Sequence, residues 1–335
     1  MSAGGPIQHG GNLARARALF PQAPEPWTDL STGINPHSYP YSPLPANAFS
    51  RLPEPEAAER LRLLAAEVYG APSPAHVVAG PGTQILLPIV ARSVRSRSVA
   101  TILSPTYAEH ARAAHLAGYE VREVGDPGVL AEADLAVVVN PNNPTGRIIP
   151  KAELLGLADR MRMKGGLLVV DEAFHDVSSA DSLADAVESG GLLVLRSFGK
   201  FYGMAGVRLG FAISHPDIVA RLEETLGPWS ISGPALHIAN EALADRIWKR
   251  QMQERLRQDA DRLDALLEAK GISVAGGTPL FRYIQHPEAQ SIFNALGRHG
   301  VLIRKFDERP MDLRIGLPGD EGWERLQYAL ENIRL

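Results

Sequence analysis

No cysteine occurs among the 335 residues, so disulfides, thiolate-bound zinc, iron–sulfur clusters and a cysteine nucleophile are excluded. An excess of either charge is missing too. Lys and Arg total 34 against 38 Asp and Glu, a formal net charge of −4, which argues against DNA or RNA as the main partner. There is no long apolar run. Val77–Ala91 is the longest uncharged apolar stretch, yet it contains Pro81, Thr83, Gln84 and Pro88 and falls short of the ~20 residues of a membrane helix. The opening MSAGGPIQHGGN has neither a basic nor an apolar signal region; no secretory signal is predicted, and a cytoplasmic location is the expectation. None of the 10 histidines falls in HExxH, and His110 and His115 are five apart, about 140° around a helix and so not on one face; no metal site is predicted. No G-x-S-x-G elbow is present, which argues against an α/β-hydrolase. Internal repeats and low-complexity tracts are absent as well.

What is present fits a packed globule: 45% apolar and 21% charged residues, in a chain long enough for about two domains. Residues 1–55 show no sustained period, and Pro21, Pro24, Pro26, Pro36, Pro40, Pro43, Pro45, Pro53 and Pro55 interrupt any helix or central strand. Trp27, Leu30, Ile34 and Phe49 make this stretch an arm that packs on something. Residues 56–69 read as a helix stopped by Gly70. Short apolar runs follow at Val99–Leu103, Leu135–Val139, Leu167–Val170, Leu192–Leu195 and Leu209–Ile213, separated by helical stretches such as 108–117 and 151–163. That alternation predicts an α/β domain whose mostly parallel sheet is covered on both faces. Beyond about residue 214 the rhythm changes. Trp248, Met252, Leu256, Ala260, Leu263 and Leu267 form one stripe of a long helix ending at Gly271. Strands at Leu280–Ile284, Val301–Ile303 and Leu313–Leu317, with helices at 288–298 and 321–333, complete a smaller α+β unit. The expected organisation is an arm over 1–55, a large domain over 56–225 and a small domain over 226–335.

Ligands of open α/β sheets bind beyond the carboxyl ends of the strands. Three strands here run into polar loops: NPNNPTG with Asn143, Asp171-Glu-Ala-Phe174, and Arg196-Ser-Phe-Gly-Lys200. An amide, a carboxylate and an amine thus reach one sheet edge. Upstream, Gly80-Pro-Gly-Thr-Gln84 precedes a helix-like run, a turn able to hold a phosphate on free N–H groups, although it is neither a P-loop nor a dinucleotide fingerprint. Each piece alone has a plain structural explanation. Together, an amine, an acid and a phosphate cradle are what pyridoxal 5′-phosphate requires: a Schiff-base lysine, a partner for the pyridinium nitrogen and an anchor for the phosphate. Ser197 and Arg208 are placed to add bonds to that phosphate.

With SFGKFYGMAGVRLGF, NPNNPTG and VVDEAF in this order, the chain resembles the fold-type I pyridoxal-phosphate enzymes of the class I/II aminotransferase group along nearly its whole length. His9-Gly-Gly-Asn12, Leu30-Ser-Thr-Gly-Ile-Asn-Pro36 and Gly227-Pro-Trp-Ser230 are similar to the branch that decarboxylates L-threonine O-3-phosphate for cobalamin biosynthesis, with the histidinol-phosphate aminotransferases as the alternative. The resemblance implies roles by position. Lys200 is the Schiff-base lysine, Asp171 the partner of the ring nitrogen, and Asn143 that of the 3′-oxygen. Gly82, Thr83, Gln84, Ser197 and Arg208 form the phosphate cup, and Tyr107 stacks on the ring. Lys200, Asp171 and Tyr107 are the implied catalytic set. Arg314 grips the substrate carboxylate, while Arg304, His9, Gly10, Gly33 and Asn143 complete the substrate set, with the arm contributing to a lid. A homodimer acting on a small phosphorylated amino acid is implied, without nucleic acid or membrane.

The chain departs from the group's pattern twice. Phe174 stands where many relatives have a tyrosine that donates to the 3′-oxygen, and Phe cannot donate. Leu52 stands where relatives often carry a tyrosine reaching the neighbouring subunit's phosphate; Tyr39 and Tyr41 are the candidates to replace it.

Overall fold

The computed structural model describes residues 7–94 and 98–333. In chain order the strands are β1 (Thr28–Asp29), β2 (Val77–Gly80), β3 (Val99–Leu103), β4 (Glu120–Val124), β5 (Leu135–Val139), β6 (Leu167–Asp171), β7 (Leu192–Ser197), β8 (Gly210–Ser214), β9 (Val274–Thr278), β10 (Phe281–Gln285), β11 (Val301–Leu302), β12 (Arg304–Phe306) and β13 (Arg309–Gly316). The helices are α1 (Leu13–Leu19), α2 (Pro55–Tyr69), α3 (Thr83–Ser93), α4 (Glu109–Leu116), α5 (Lys151–Met163), α6 (Phe198–Phe201), α7 (Pro216–Leu226), α8 (Gly233–Ala244), α9 (Arg246–Glu268), α10 (Ala289–Arg298) and α11 (Trp323–Glu331).

Two compact units form. One comprises Ser38–Asn143 and Arg147–Arg250, the other Met1–His37, Pro144–Gly146 and Gln251–Leu335. These divisions differ from those expected after residues 55 and 225. The second half of the arm is tied into the larger unit: Ser42 donates to Glu241 at 2.9 Å, and Tyr39 is buried against Trp248 and Tyr202. Likewise α8 packs on α2. Both stretches serve the large unit's core.

The large sheet has the order β2-β8-β7-β6-β5-β3-β4. Its strands are parallel except β8, which runs against both β2 and β7. Strands β5, β6 and β8 are buried along their whole length, as strands covered on both faces must be. One core gathers Val78, Leu86, Val90, Ile102, Val137, Val169, Leu193 and Leu222 from strands and helices. Strand β4 closes the edge with Glu-Val-Arg-Glu-Val, mostly exposed; its charges suit an edge strand and hide it from a search for apolar runs.

Register decides what meets at the carboxyl edge. Asp171 lies level with Val139 of β5 and Leu195 of β7, so the loops carrying Asn143 and Lys200 leave beside it. Gly210 is level with both Ser197 and Gly80, which brings the start of α3 next to the end of β7.

The smaller unit has an antiparallel sheet of order β12-β13-β10-β9 and a parallel pair β1-β11. The first part of the arm is packed here: Leu30 is buried, its N–H donates to Leu302 O at 2.7 Å, and Gly316 N–H donates to Leu30 O at 2.6 Å. The arm also holds a helix that periodicity does not reveal, α1, capped by Asn12 accepting Arg15 N–H, with Ala16 as its buried residue. Phe49, expected to pack, is 80% exposed. The stripe Met252, Leu256, Ala260, Leu263 and Leu267 is buried as the spacing requires. Among the described residues no helix is long and apolar enough to cross a membrane.

Candidate active site

A cavity in the large unit is lined by Gly82, Thr83, Gln84, Tyr107, Val139, Asn143, Asp171, Ala173, Phe174, Ser197, Gly199, Lys200, Ala205, Arg208 and Leu209. Every residue matched by resemblance to the cofactor thus lines one wall or another of it. Lys200 sits in α6, directly after β7, with Nζ 5.6 Å from the centre of the Phe174 ring. No hydroxyl is available at position 174.

Asp171 ends β6 and is buried. Its Oδ2 accepts from His110 Nε2 at 2.9 Å and its Oδ1 accepts the Ala173 N–H at 3.0 Å. Both carboxylate oxygens are thus engaged as acceptors. In the sequence, His110 stands out only as a candidate metal ligand. Its contact with Asp171 spans 61 positions, so nothing local announces it. Tyr107 crosses His110 edge to face at 5.9 Å. The Tyr107 hydroxyl donates to Gln84 Oε1 at 2.9 Å, and Gln84 Nε2 donates to Glu109 Oε2 at 2.7 Å. Burial, and then the charges of Glu109 and Asp171, push the phenol up to about 12 against a smaller opposing effect of Arg208.

The anion-binding corner is built where α3 begins. First-turn N–H groups of a helix have no acceptor within it and carry the positive end of its dipole. Gly210 lies so close that a Cβ there would be 2.5 Å from Thr83 N, and one on Gly82 (φ +86°) would be 2.8 Å from Arg208 Nη2. Side chains at either position would fill the corner. Arg208 itself adopts the left-handed region at φ 56°, which costs an L-residue about 1–2 kcal/mol and is found where function repays it. Its Nη1 donates to Ala205 O at 3.2 Å.

Of the asparagines in NPNNPTG, two hold the loop. Asn140 exchanges bonds with Ile149 at 2.8 and 3.1 Å. Asn142 donates to Pro105 O at 2.9 Å and accepts from Thr106 at 3.0 Å. Asn143 is the one that reaches the cavity. Next to Asp171 and Ser197 lies a buried ion network: Arg196 donates to Glu172 at 3.0 Å and to Asp176 at 2.8 Å, and Lys249 reaches Asp176 at 3.1 Å.

Of the residues matched to the substrate, Asn143 belongs to the large-unit cavity and the others to the smaller unit. There His9, Gly10 and Arg304 line one cavity with Arg15, Ser31 and Lys305. Arg304 donates to Gln8 O, at 2.5 Å, and Arg314, directly opposite it in the sheet, donates to Ser31 O at 2.6 Å. Like charges opposed in a ladder are unfavourable. Burial, and then Arg304, lower the Arg314 guanidinium to about 10, with Asp29 opposing. Gly33 adopts φ 63° two residues beyond Ser31. Of the tyrosines considered as substitutes for the one missing at Leu52, Tyr39 is buried with its hydroxyl 3.3 Å from Asp245, whereas Tyr41 is 45% exposed.

Residues 46–333 match the family model for aminotransferase class I and II. The chain belongs to that family. It is 44% identical to a threonine-phosphate decarboxylase of Pseudomonas aeruginosa, over 97% of each chain. With a threonine-phosphate decarboxylase of Sinorhizobium sp it shares 42% identity, over 98% of this chain and 99% of the other. A solved histidinol-phosphate aminotransferase from Sinorhizobium meliloti, in complex with pyridoxal-5′-phosphate, superposes with a TM-score of 0.82 at 21% identity, covering 99% of this chain and 98% of that one. Fold type I, with a mostly parallel large sheet and a smaller antiparallel one, is therefore the architecture of this family member. Its large-unit cavity fits pyridoxal phosphate in kind: an amine, a buried carboxylate held by two donors, and a glycine-lined anion corner with an arginine.

Proposed function

We propose that this class I and II aminotransferase family member is a pyridoxal-phosphate-dependent decarboxylase. It converts L-threonine O-3-phosphate to carbon dioxide and (R)-1-amino-2-propanol O-2-phosphate, a step of cobalamin biosynthesis. The observation that carries this reading is the 44% and 42% identity, over nearly the full length, with two threonine-phosphate decarboxylases.

When bound, pyridoxal phosphate draws electrons from the bonds at the substrate Cα. In this reading Lys200 is the amine that holds it. Asp171, whose oxygens are engaged by His110 and the Ala173 N–H, would hold a proton at its pyridine nitrogen. Gly82, Thr83, Gln84, Ser197 and Arg208 take its phosphate, Tyr107 lies on its ring, and Asn143 donates to its 3′-oxygen without help from Phe174. Arg314 grips the substrate carboxylate, and His9 and Arg304 donate to the substrate phosphate beside Gly10 and Gly33. Arginine suits both tasks because its planar fork matches carboxylate and phosphate. The grip of Arg314 on the carboxylate would decide which bond at Cα the cofactor weakens, and the outcome proposed is decarboxylation.

The working form in this reading is a homodimer. Exposed Leu52 and Trp229 line adjoining hollows of the large unit that share Pro53, Glu54 and Leu236, an apolar surface that a second copy would cover. The substrate's phosphate charge does not cross a bilayer unaided, so enzyme and substrate share a compartment, which we take to be the cytoplasm.

Incubation with L-threonine O-3-phosphate and no oxo-acid should release carbon dioxide. Lys200→Ala should abolish both that release and the fixation of cofactor by borohydride. No release, with histidinol phosphate consumed in step with 2-oxoglutarate, would replace the decarboxylase by an aminotransferase.

A further inference from the structure

We infer that Glu109 is a positioning residue: through the side-chain amide of Gln84 it dictates where the Tyr107 hydroxyl directs its hydrogen. The inference rests on the reading that the large-unit cavity binds pyridoxal phosphate.

Glu109 is the first residue of α4 and only 4% exposed. An ionised carboxylate accepts hydrogen bonds and cannot donate them. It takes one from Gln84 Nε2 at 2.7 Å and one from Arg112 Nη1 at 3.0 Å. The Gln84 amide is thereby committed. Its NH2 faces Glu109, so its carbonyl faces Tyr107, whose hydroxyl donates to it at 2.9 Å. Turning the amide over would set two acceptors against each other in a buried place, a desolvation cost without a bond in return. Removing the carboxylate frees the amide to present either end, and the hydroxyl then has no fixed direction.

Gln84 is also the second residue of α3, in the turn that forms the anion corner. One relay thus ties that corner to the aromatic ring lining the same cavity. Tyr107 serves as an oriented ring whose oxygen meets a ligand as an acceptor. It does not serve as a general base, a conclusion its raised pKa of about 12 supports.

The holoprotein and its variants test this by two readouts, the dissociation constant for pyridoxal phosphate and the visible circular dichroism of the bound cofactor. Glu109→Gln keeps an acceptor oxygen and should stay within about twofold of wild type. Glu109→Leu should bind cofactor about tenfold more weakly with an altered dichroic band, the loss expected of one charge-assisted bond. Gln84→Leu, which breaks the relay at its centre, should behave alike and guards against a variant that does not fold. In a Tyr107→Phe background Glu109→Leu should add less than about twofold, because the two changes act through one chain. Equal losses in both backgrounds, or a Leu variant with wild-type affinity and dichroism, would overturn the inference while leaving the cofactor reading intact. If even the wild-type protein fixes no cofactor on Lys200 with borohydride, the cofactor reading falls and takes this inference with it.

Discussion

Arg196 and Arg314 are both buried, at 2% and 6% exposure, and they settle their charge in opposite ways. Arg196, in the large unit, meets Glu172 at 3.0 Å and Asp176 at 2.8 Å and lies 4.4 Å from the centre of the Tyr69 ring. Burial works against its charge, yet the two carboxylates outweigh it and raise its pKa. Arg314, in the smaller unit, donates to a carbonyl, lies 5.2 Å from the Phe281 ring centre and faces Arg304 across the ladder. Its pKa falls to about 10, because burial and Arg304 outweigh Asp29. A charge satisfied by the chain's own acids is scaffold. A charge kept at a cost, beside a second cation, is suited to an anion that arrives from outside.

The largest effect expected from this contrast is on stability. Arg196→Met takes from Glu172 and Asp176 the buried cation they share, and breaking such a pair costs roughly 3–5 kcal/mol. Denaturant unfolding would read that loss directly. Arg314→Met should unfold within about 1 kcal/mol of wild type, since it removes a charge the fold carries at a cost. If both variants lost stability equally, the contrast would be gone.

Activity should show the reverse order for Arg314. In the proposed role, kcat/KM for L-threonine O-3-phosphate should fall on the order of 100-fold in Arg314→Met, the scale of losing a buried charged contact to a ligand. Arg314→Lys should recover little, since a point charge does not reproduce the planar fork. Full activity in either variant would remove Arg314 from the substrate's path.

The same contrast separates what the sequence revealed from what it hid. Apolar runs between helical stretches announced β3 and β5–β8, because strands buried on both faces need continuous Val and Leu. Lys200, Asp171 and Asn143 followed from their position just beyond those strands. The supporting groups did not. Glu109 and His110 look like the polar start of an ordinary helix until register sets them against Gln84 and Asp171, 25 and 61 positions away. Strand β4 is disguised by edge charges, and α1 by having one buried residue in LARARAL. Strand β9, Val-Ala-Gly-Gly-Thr, has too few side chains to show alternation. The role of Arg196 was equally hidden, because Glu172 and Asp176 are carried by a different strand end 20 to 24 positions earlier.

The smallest effect concerns His175, which borders the Arg196 network. Burial and then Arg196 lower its pKa; Glu172 and Asp176 oppose this, and Lys249 adds to it. The folded chain therefore refuses a proton that the unfolded chain accepts below about pH 6.5. Its contribution to stability is present above that value and is lost as pH falls through the lower folded pKa. Asp176 is silent in this window. Burial raises its pKa, but Arg196 and Lys249 outweigh burial and leave it below its ordinary value, so it titrates only in stronger acid. Melting temperature should fall modestly from about pH 8 to about pH 5.5, and His175→Gln should flatten part of that fall. Arg196→Met gives the sharper test, because it removes the cation and leaves both carboxylates facing the imidazole. There the His175 pKa should rise toward its ordinary value while burial and Lys249 still hold it down, so less stability is lost as pH falls through the folded value than in wild type. A pH profile of Arg196→Met parallel to that of wild type would show that the arginine's charge does not reach His175.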